Sequence, residues 1–188
     1  MWSFALIFIV ISSETTVFGW PSVFNRSVGE IWPKPRSITQ FPKVFRIDTK
    51  NFKIKGDTSC EIIKQAIKRY SIRFFPFENN TKWLETEQTT LDSLNIVVLD
   101  NCSSDLPIFG MDESYELDVT NTPATIRSRE VWGALRGLES FSHMIYLNKN
   151  NGYEIKAARI MDSPRFPHRG VLLDTSRYTS SHTFVSYQ

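Results

Sequence analysis

The stretch Val131-Trp132-Gly133-Ala134-Leu135-Arg136-Gly137-Leu138-Glu139-Ser140-Phe141 decides the fold of this 188-residue sequence. Its apolar side chains recur at helical spacing, which predicts an amphipathic helix that has Ser128 as its N-cap and runs to about Tyr146. The predicted core stripe consists of Val131, Trp132, Leu135, Leu138, Phe141 and Ile145. Gly133 and Gly137 lie four residues apart, so they share one face. Because glycine lowers helix stability, this face is expected to approach another backbone closely.

A second amphipathic helix is predicted upstream, from Cys60 to about Phe75. Its apolar positions repeat at helical spacing, at Ile62, Ile63, Ala66, Ile67 and Tyr70. Pro76 ends this helix, because proline lacks a backbone N–H and clashes with the preceding turn. The two helices together supply enough apolar surface for one core.

Short segments with strand character surround the two helices. Residues 44–48 and 52–55 flank a turn, which predicts a hairpin. Further strands are predicted at residues 94–99, 115–119 and 153–160. The sum is an α/β sandwich over residues 20–161, in which a mostly antiparallel sheet carries two helices on one face.

Composition excludes several classes of protein. The chain has 22 Lys and Arg against 20 Asp and Glu, and the basic residues form no stripe, which argues against nucleic-acid binding. The hydrophobic fraction of 41% suits one globular domain with an appendage. No Gly-x-Ser-x-Gly, phosphate-loop or His-Glu-x-x-His motif occurs, and we expect neither a metal nor a cofactor.

The N-terminal 19 residues read as a signal peptide. Residues 2–11 are apolar except for Ser3, a run too short for the roughly 20 residues that span a membrane. Gly19 supplies a small residue before a cut that leaves Trp20 as the mature start. We therefore expect entry into the secretory pathway, to a lysosomal or extracellular destination, with no stable membrane anchor.

The chain has two cysteines, Cys60 and Cys102. In a secreted protein such a pair predicts one disulfide, with two free buried thiols as the alternative. Neither cysteine has a histidine or further cysteine nearby, so a zinc site is disfavoured. Glycosylation sequons stand at Asn25, Asn79 and Asn101.

A buried strand is predicted late in the chain, within Phe166-Pro167-His168-Arg169-Gly170-Val171-Leu172-Leu173-Asp174-Thr175-Ser176-Arg177. Val171-Leu172-Leu173 is apolar throughout, as in a parallel sheet covered on both faces. In a (β/α)8 barrel, catalytic groups stand at the carboxyl ends of such strands, where Asp174 and Arg177 lie. Arg177 could bind sugar hydroxyls or a carboxylate; alternatively it pairs with Asp174 and caps the strand.

Two of these stretches resemble the eukaryotic β-N-acetylhexosaminidases of glycoside hydrolase family 20. Residues 131–141 are very similar to the second-helix signature of that family, and residues 166–177 resemble the entry into its catalytic barrel. Ile31-Trp32-Pro33-Lys34-Pro35 matches its mature start. The resemblance covers residues 28–178 and implies the Cys60–Cys102 disulfide of the non-catalytic domain. It also implies that residues 162–177 are a linker and the first strand of an incomplete barrel.

The resemblance also implies a chemistry and its partners. Such enzymes remove terminal β-linked N-acetylhexosamine from glycans by a substrate-assisted mechanism, and a hexosaminidase subunit is a possible partner. Arg177 matches the arginine that binds the terminal sugar. The catalytic Asp-Glu pair of the family lies downstream of the residues printed here, so no catalytic residue is assigned.

Two features depart from the family pattern. Asp112-Glu113 repeats the catalytic dipeptide in the wrong domain and is expected to be a solvated loop pair. Residues 178–188 lack apolar residues at helical spacing. Such a tail is expected of read-through sequence, a splice variant or a fragmentary gene model. We therefore expect a chain that is inactive alone, with a secreted glycan- or subunit-binding module as the alternative. His143 lies off the apolar stripe and is expected to be solvated.

Overall fold

The computed structural model describes residues 29–76, 89–100, 102 and 106–172, which form ten elements of secondary structure. In chain order they are β1 Ser37–Ile47, β2 Lys53–Lys55, α1 Glu61–Arg73, β3 Thr90–Leu91, β4 Ser93–Val98, β5 Tyr115–Asp118, β6 Ala124–Ser128, α2 Val131–Met144, β7 Ile145–Leu147 and β8 Tyr153–Asp162. The predictions for the signal peptide, the three sequons, Arg177 and the tail lie outside the described residues.

All eight strands join one mixed sheet, in the order β2-β4-β6-β5-β8-β1-β3, with β7 paired to β8. Antiparallel pairings join β1 to β8, β5 to β6, β5 to β8 and β7 to β8. Parallel pairings join β1 to β3, β2 to β4 and β4 to β6. The α/β fold is therefore confirmed, with antiparallel pairings in a small majority.

The predicted hairpin between β1 and β2 is wrong, although the turn between them is present. Phe52 N donates to Asp48 O at 2.9 Å, but β2 pairs in parallel with β4 rather than with β1. Parallel neighbours need a long crossover, and α1 supplies it between β2 and β4. The turn therefore starts a βαβ unit instead of closing a hairpin.

Both helices pack on one face of the sheet and against each other. The ring centroids of Phe74, which follows α1, and Phe141 of α2 are 5.1 Å apart. Leu138 and Phe141 are fully buried, as predicted, whereas Trp132, Leu135 and Ile145 are only partly buried. The buried face of α2 is instead completed by the small residues Gly133, Ala134, Gly137 and Ser140.

The small residues on α2 let the helix approach the sheet closely. A Cβ built on Gly133 would lie 2.0 Å from the carbonyl oxygen of Ser114, and one on Gly137 would lie 2.7 Å from Cγ2 of Ile126. Real Cβ atoms essentially never come within 3.0 Å of another non-bonded heavy atom, and a backbone oxygen cannot move aside, so only glycine fits at the first position. The close approach predicted for this face is confirmed.

The predicted N-cap of α2 is wrong. Ser128 is the last residue of β6, and Glu130 occupies the cap position without a side-chain cap bond. Ser128 Oγ instead donates to the carbonyl oxygen of Glu130 at 2.8 Å. The hydroxyl therefore stabilises the tight strand-to-helix connection rather than the first turn of the helix.

Cys60 and Cys102 form a disulfide, as predicted, with their Cα atoms 5.5 Å apart. Cys60 is the residue before α1 and is buried. The bond therefore ties the start of α1 to the segment that follows β4.

Candidate functional site

The candidate site is a buried carboxylate, Glu113, that lies just before β5 and is held by two arginines. Arg136 of α2 donates from Nε to Glu113 Oε1 at 2.7 Å. Arg169, beyond β8, donates from Nη2 to Oε1 at 2.6 Å and to Oε2 at 2.8 Å. Glu113 is only 5% exposed, so its assignment to a solvated loop pair is wrong. We call Glu113, Arg136 and Arg169 the clamp.

The neighbouring Asp112 shapes the loop that presents Glu113. Its Oδ1 accepts from the backbone N–H of Ser114 at 2.9 Å, and hydrogen bonds from Ser114 lower the pKa of this carboxyl. The backbone N–H of Asp112 donates to Glu130 Oε2 at 3.1 Å, which joins the loop to the start of α2. Asp112 and Glu113 therefore both act as acceptors inside the fold.

The two arginines keep Glu113 ionised. Burial alone raises the pKa of this carboxyl, but the hydrogen bonds and positive charges of Arg169 and Arg136 outweigh burial and leave the pKa below its ordinary value. A general acid that works near neutral pH needs a raised pKa. Glu113 is therefore ionised at neutral or mildly acidic pH and cannot act as a general acid there.

Replacing Glu113 with Gln should lower the free energy of unfolding by about 2 kcal/mol at pH 7. The loss stays moderate because Arg136 and Arg169 are half exposed and can regain water. Since the folded-state pKa of Glu113 is depressed, its contribution is present above pH 4.5 and disappears as the pH falls through the folded value. Urea unfolding at pH 7 and pH 3 measures both effects.

Glu116→Gln, on the exposed face of β5, is the matched control for that substitution. It should change the unfolding free energy by less than about 0.5 kcal/mol at either pH. Equal stabilities of the Glu113 and Glu116 variants at pH 7 would show that the clamp does not stabilise the fold.

A buried hydrogen-bonded group lies beside the clamp. The hydroxyls of Tyr115 and Ser140 are 2.5 Å apart, and Tyr115 also donates to Asp162 Oδ2 at 3.3 Å. Burial raises the pKa of Tyr115 to about 12, so its phenol stays protonated. Asp162 Oδ1 in turn accepts from the backbone N–H of Arg36 at 3.0 Å. These bonds join β5, α2, β8 and the segment before β1.

A third polar group connects the two helices. Tyr70 of α1 donates to Glu139 Oε2 at 2.5 Å, and His143 Nε2 lies 3.5 Å from Glu139 Oε1. Burial, together with the hydrogen bond to Glu139, raises the pKa of Tyr70 well above its ordinary value. His143 is half-buried rather than fully solvated, so the sequence expectation for it is wrong. Tyr70 cannot serve as a base or nucleophile at neutral pH.

An open cavity of about 700 Å³ borders these groups. Its walls include the segment before β1, helix α2 and the residues that follow β8, with Trp32, Arg36, His143, Arg165 and Phe166 among the lining side chains. Among the described residues, no group of three His, Cys, Asp or Glu side chains could hold a metal ion. In that same part of the chain, every helix is too short or too polar to cross a bilayer.

The predicted barrel strand is described only at its start. Val171 and Leu172 lie outside any strand and are 97% and 93% exposed. A strand covered on both faces needs neighbouring strands, and the described residues supply none at this position. Arg136 and Arg169 each lie within one of the two sequence motifs, but neither was predicted to have a role or to contact Glu113. The sequence feature that could have pointed to them is that each motif contains an arginine among mostly apolar residues, Arg136 in the first and Arg169 in the second.

The sequence matches the family profile described as "beta-acetyl hexosaminidase like" over residues 31–144, more than half of the chain. This chain belongs to the β-hexosaminidases of glycoside hydrolase family 20. The residues matched to the family include both helices and, from the clamp, Glu113 and Arg136.

Two relatives give the scale of the full hexosaminidases. Beta-hexosaminidase subunit beta of Rattus norvegicus is 38% identical over 158 residues, which cover 79% of this chain and 29% of the relative. Beta-hexosaminidase A of Caenorhabditis elegans is 35% identical over 188 residues, which cover 97% of this chain and 33% of the relative. The chain therefore spans about a third of these relatives or less.

Solved structures agree with the fold. The chitobiase of Flavobacterium johnsoniae matches with a TM-score of 0.53 and 28% identity, over 80% of this chain and 23% of that enzyme. The exo-β-N-acetylglucosaminidase of Vibrio harveyi has a TM-score of 0.54 at 20% identity, over 82% of this chain and 22% of that enzyme, and supports the fold alone.

Proposed function

We propose that residues 20–161 form the non-catalytic α/β domain of a β-hexosaminidase, and that the complete enzyme removes terminal N-acetyl-β-D-hexosamine from glycoconjugates. Membership of the family supports the reaction class. The 29% share of the rat subunit that this chain covers supports the assignment to one domain of a longer enzyme.

In this proposal the reaction is substrate-assisted. The acetamido oxygen of the substrate attacks the anomeric carbon, a glutamic acid protonates the leaving oxygen, and a neighbouring aspartate orients the acetamido group. Both carboxylates belong to the barrel. Within this chain, Arg177 is assigned to bind hydroxyls of the terminal sugar. Residues 162–177 are assigned as the linker and the first barrel strand, which positions Arg177 at the end of that strand.

The state of Glu113 carries the proposal that the domain itself is not catalytic. It belongs to the single Asp-Glu dipeptide of the printed sequence. Its carboxylate is buried, ionised and bonded to two arginines, so it can neither donate a proton nor approach a substrate. Glu113 therefore has a structural role as the carboxylate of a buried ion pair.

We expect the purified 188-residue chain to show no turnover of a chromogenic N-acetyl-β-D-glucosaminide above the buffer rate. The rat subunit is the positive control, and the Glu113→Gln variant should match the parent chain. Turnover that a hexosaminidase transition-state mimic abolishes would overturn the proposal, since it would require an acid within this chain.

A secreted glycan- or subunit-binding module is the second candidate. The buried core and the disulfide favour it, because they give the domain the features of an independent folding unit. Calorimetric titration of the chain with chitobiose, and with the rat subunit, separates the two candidates. Binding without turnover would favour the binding module as the function of this chain. The absence of binding heat in both titrations would exclude that candidate.

The disulfide also supports a location in the secretory pathway, lysosomal or extracellular, since such bonds persist in oxidising compartments. Residues 1–19 would then be removed as a signal peptide, and Asn25, Asn79 and Asn101 would be open to glycosylation. Mass spectrometry of the protein secreted from cultured cells tests the cleavage site and each sequon.

A further inference from the structure

We propose that Asn151 is a site of spontaneous deamidation, and that the side chain of Asn148 controls the rate of this reaction. Both residues lie in the turn that joins β7 to β8. The inference concerns a covalent modification of the chain and does not depend on the proposed function. It starts from the dipeptide Asn151-Gly152, which is the single Asn-Gly of the printed sequence.

This dipeptide allows a reaction that needs no enzyme. The backbone nitrogen of Gly152 gives its proton to hydroxide and attacks Cγ of the Asn151 side chain, which closes a cyclic imide. The C–N bond of the side-chain amide breaks, and its nitrogen leaves as ammonia with a proton taken from water. Water then opens the imide at either carbonyl carbon and yields aspartate or isoaspartate. Glycine favours the attack because it has no Cβ to hinder the approach.

The turn presents the reacting side chain to solvent. Asn151 is exposed, whereas Gly152 is buried. The φ of Asn151 is 59°, in the left-handed region that asparagine adopts more readily than most residues. Water and hydroxide therefore reach the amide of Asn151, while the attacking nitrogen lies inside the turn.

Asn148 holds that attacking nitrogen in place. The N–H of Gly152 donates to Asn148 Oδ1 at 2.9 Å, and the N–H of Asn150 donates to the same oxygen at 2.9 Å. The main chain of Asn148 closes the turn as well, since its N–H donates to the carbonyl oxygen of Gly152 at 2.9 Å. Attack on Asn151 requires the Gly152 N–H to leave Asn148 Oδ1. This hydrogen bond must therefore break before the imide can form.

The side chain of Asn148 is itself oriented by β8. Its Nδ2 donates to Glu154 Oε1 at 2.7 Å, and Tyr146 of β7 donates to Glu154 Oε2 at 3.2 Å. Burial and the charge of Glu154 raise the pKa of Tyr146 to about 12, so its phenol remains a donor at neutral pH. Because the amide NH₂ of Asn148 faces a carboxylate, its oxygen is left to accept from the turn. We call Asn148, Glu154 and Tyr146 the turn lock.

Deamidation would change both the charge and the length of the turn. It places a carboxylate three residues before Glu154, and isoaspartate adds one carbon to the main chain. Leu147 pairs with Tyr153 beside the turn, and buried Tyr153 packs on Phe75 with ring centroids 5.1 Å apart. We therefore expect the modified chain to unfold at a lower temperature than the unmodified chain.

The first test incubates the purified 188-residue chain at neutral pH, both folded and unfolded in guanidinium chloride. Trypsin then releases residues 150–156 as one peptide, because Lys149 and Lys156 define its ends. Chromatography with mass spectrometry separates its asparagine, aspartate and isoaspartate forms. Asn151 should react faster than Asn150 in the unfolded chain, and at least about tenfold more slowly once the chain is folded. Equal rates at the two asparagines, or in the two states, would overturn the proposal.

The second test removes the acceptor of the turn lock. Asn148→Ala should accelerate deamidation of the folded chain by about tenfold, because Gly152 loses its hydrogen-bond partner. Amide hydrogen exchange at Gly152 should accelerate by the same factor, since both reactions require the same opening. Asn121→Ala, in the turn between β5 and β6, is the matched control and should change neither rate at this site. An Asn148 variant that deamidates no faster than the parent would refute control by Asn148.

A third variant separates local opening from unfolding of the whole domain. Gly137→Ala destabilises the fold by crowding Ile126 and Tyr115 rather than the turn. It should leave the rate at Asn151 unchanged, because the reactive state needs only the turn to open. If Gly137→Ala and Asn148→Ala accelerate the reaction equally, deamidation passes through global unfolding and the turn lock has no role. A rate that does not rise with hydroxide concentration would refute attack by the Gly152 nitrogen.

Discussion

Replacing Gly133 with Ala should cost the fold about 3 to 5 kcal/mol, enough to unfold a domain of ordinary stability near body temperature. The new Cβ would lie 2.0 Å from the carbonyl oxygen of Ser114 and 2.9 Å from Cβ of Ser128. A backbone oxygen cannot rotate away as a side chain can, so α2 would have to move off β5. The gain in helix propensity, about 1 kcal/mol, does not offset this.

Two further glycines provide a graded control for that substitution. At Gly137 the close atom belongs to the side chain of Ile126, which can shift, so Ala should cost about 1 to 2 kcal/mol. At Gly170 the nearest atom is 3.7 Å away, so Ala should be neutral. Urea midpoints of the three variants measure the series. A Gly133→Ala midpoint equal to that of Gly170→Ala would refute the close approach.

Replacing Cys102 with Ser should lower the free energy of unfolding by about 4 kcal/mol. The disulfide closes a loop between residues 42 apart, and the unfolded chain gains the entropy of that loop when the bond is absent. Because Cys60 is buried before α1, the start of this helix should fray first. Thermal unfolding monitored by circular dichroism measures the loss.

Reduction of the parent chain with dithiothreitol is the matched comparison, since it opens the same loop without a substitution. The reduced parent and the Cys102→Ser variant should unfold at the same temperature. If the variant is as stable as the oxidised parent, the bond does not constrain the unfolded chain. If only the variant is destabilised, the serine itself, rather than the open loop, is responsible.

The sequence predicted the parts of the fold that depend on local periodicity. Both helices and the strand that begins near Tyr115 follow from spacing alone. The hairpin failed because pairing depends on distant partners: β2 takes β4, which lies beyond α1. The strand Ala124–Ser128 was missed because Thr125 and Arg127 alternate with its buried residues over only five positions.

The candidate site could not be predicted from local sequence patterns, because it too depends on partners that are distant in the chain. Arg136 lies 23 residues after Glu113 in the chain, and Arg169 lies 56 residues after it. Taken alone, each of the three looks like an ordinary surface charge. Only the tertiary fold brings the two guanidinium groups to one carboxylate. The disulfide, by contrast, was predictable because two cysteines leave one pairing.

The pairing of β1 with β8 sets the order of events during synthesis on the ribosome. Its register joins Ser37 to Met161 and Arg46 to Glu154, so β1 emerges more than 100 residues before its main partner. At about 5 to 20 residues per second, this interval lasts about 5 to 25 s. Until β8 is made, β1 can pair only with the short strand β3, so most of the sheet around Phe45 and Ile47 is still missing. We therefore expect the nascent domain to expose apolar surface, and to be prone to aggregation, until its last strand is made.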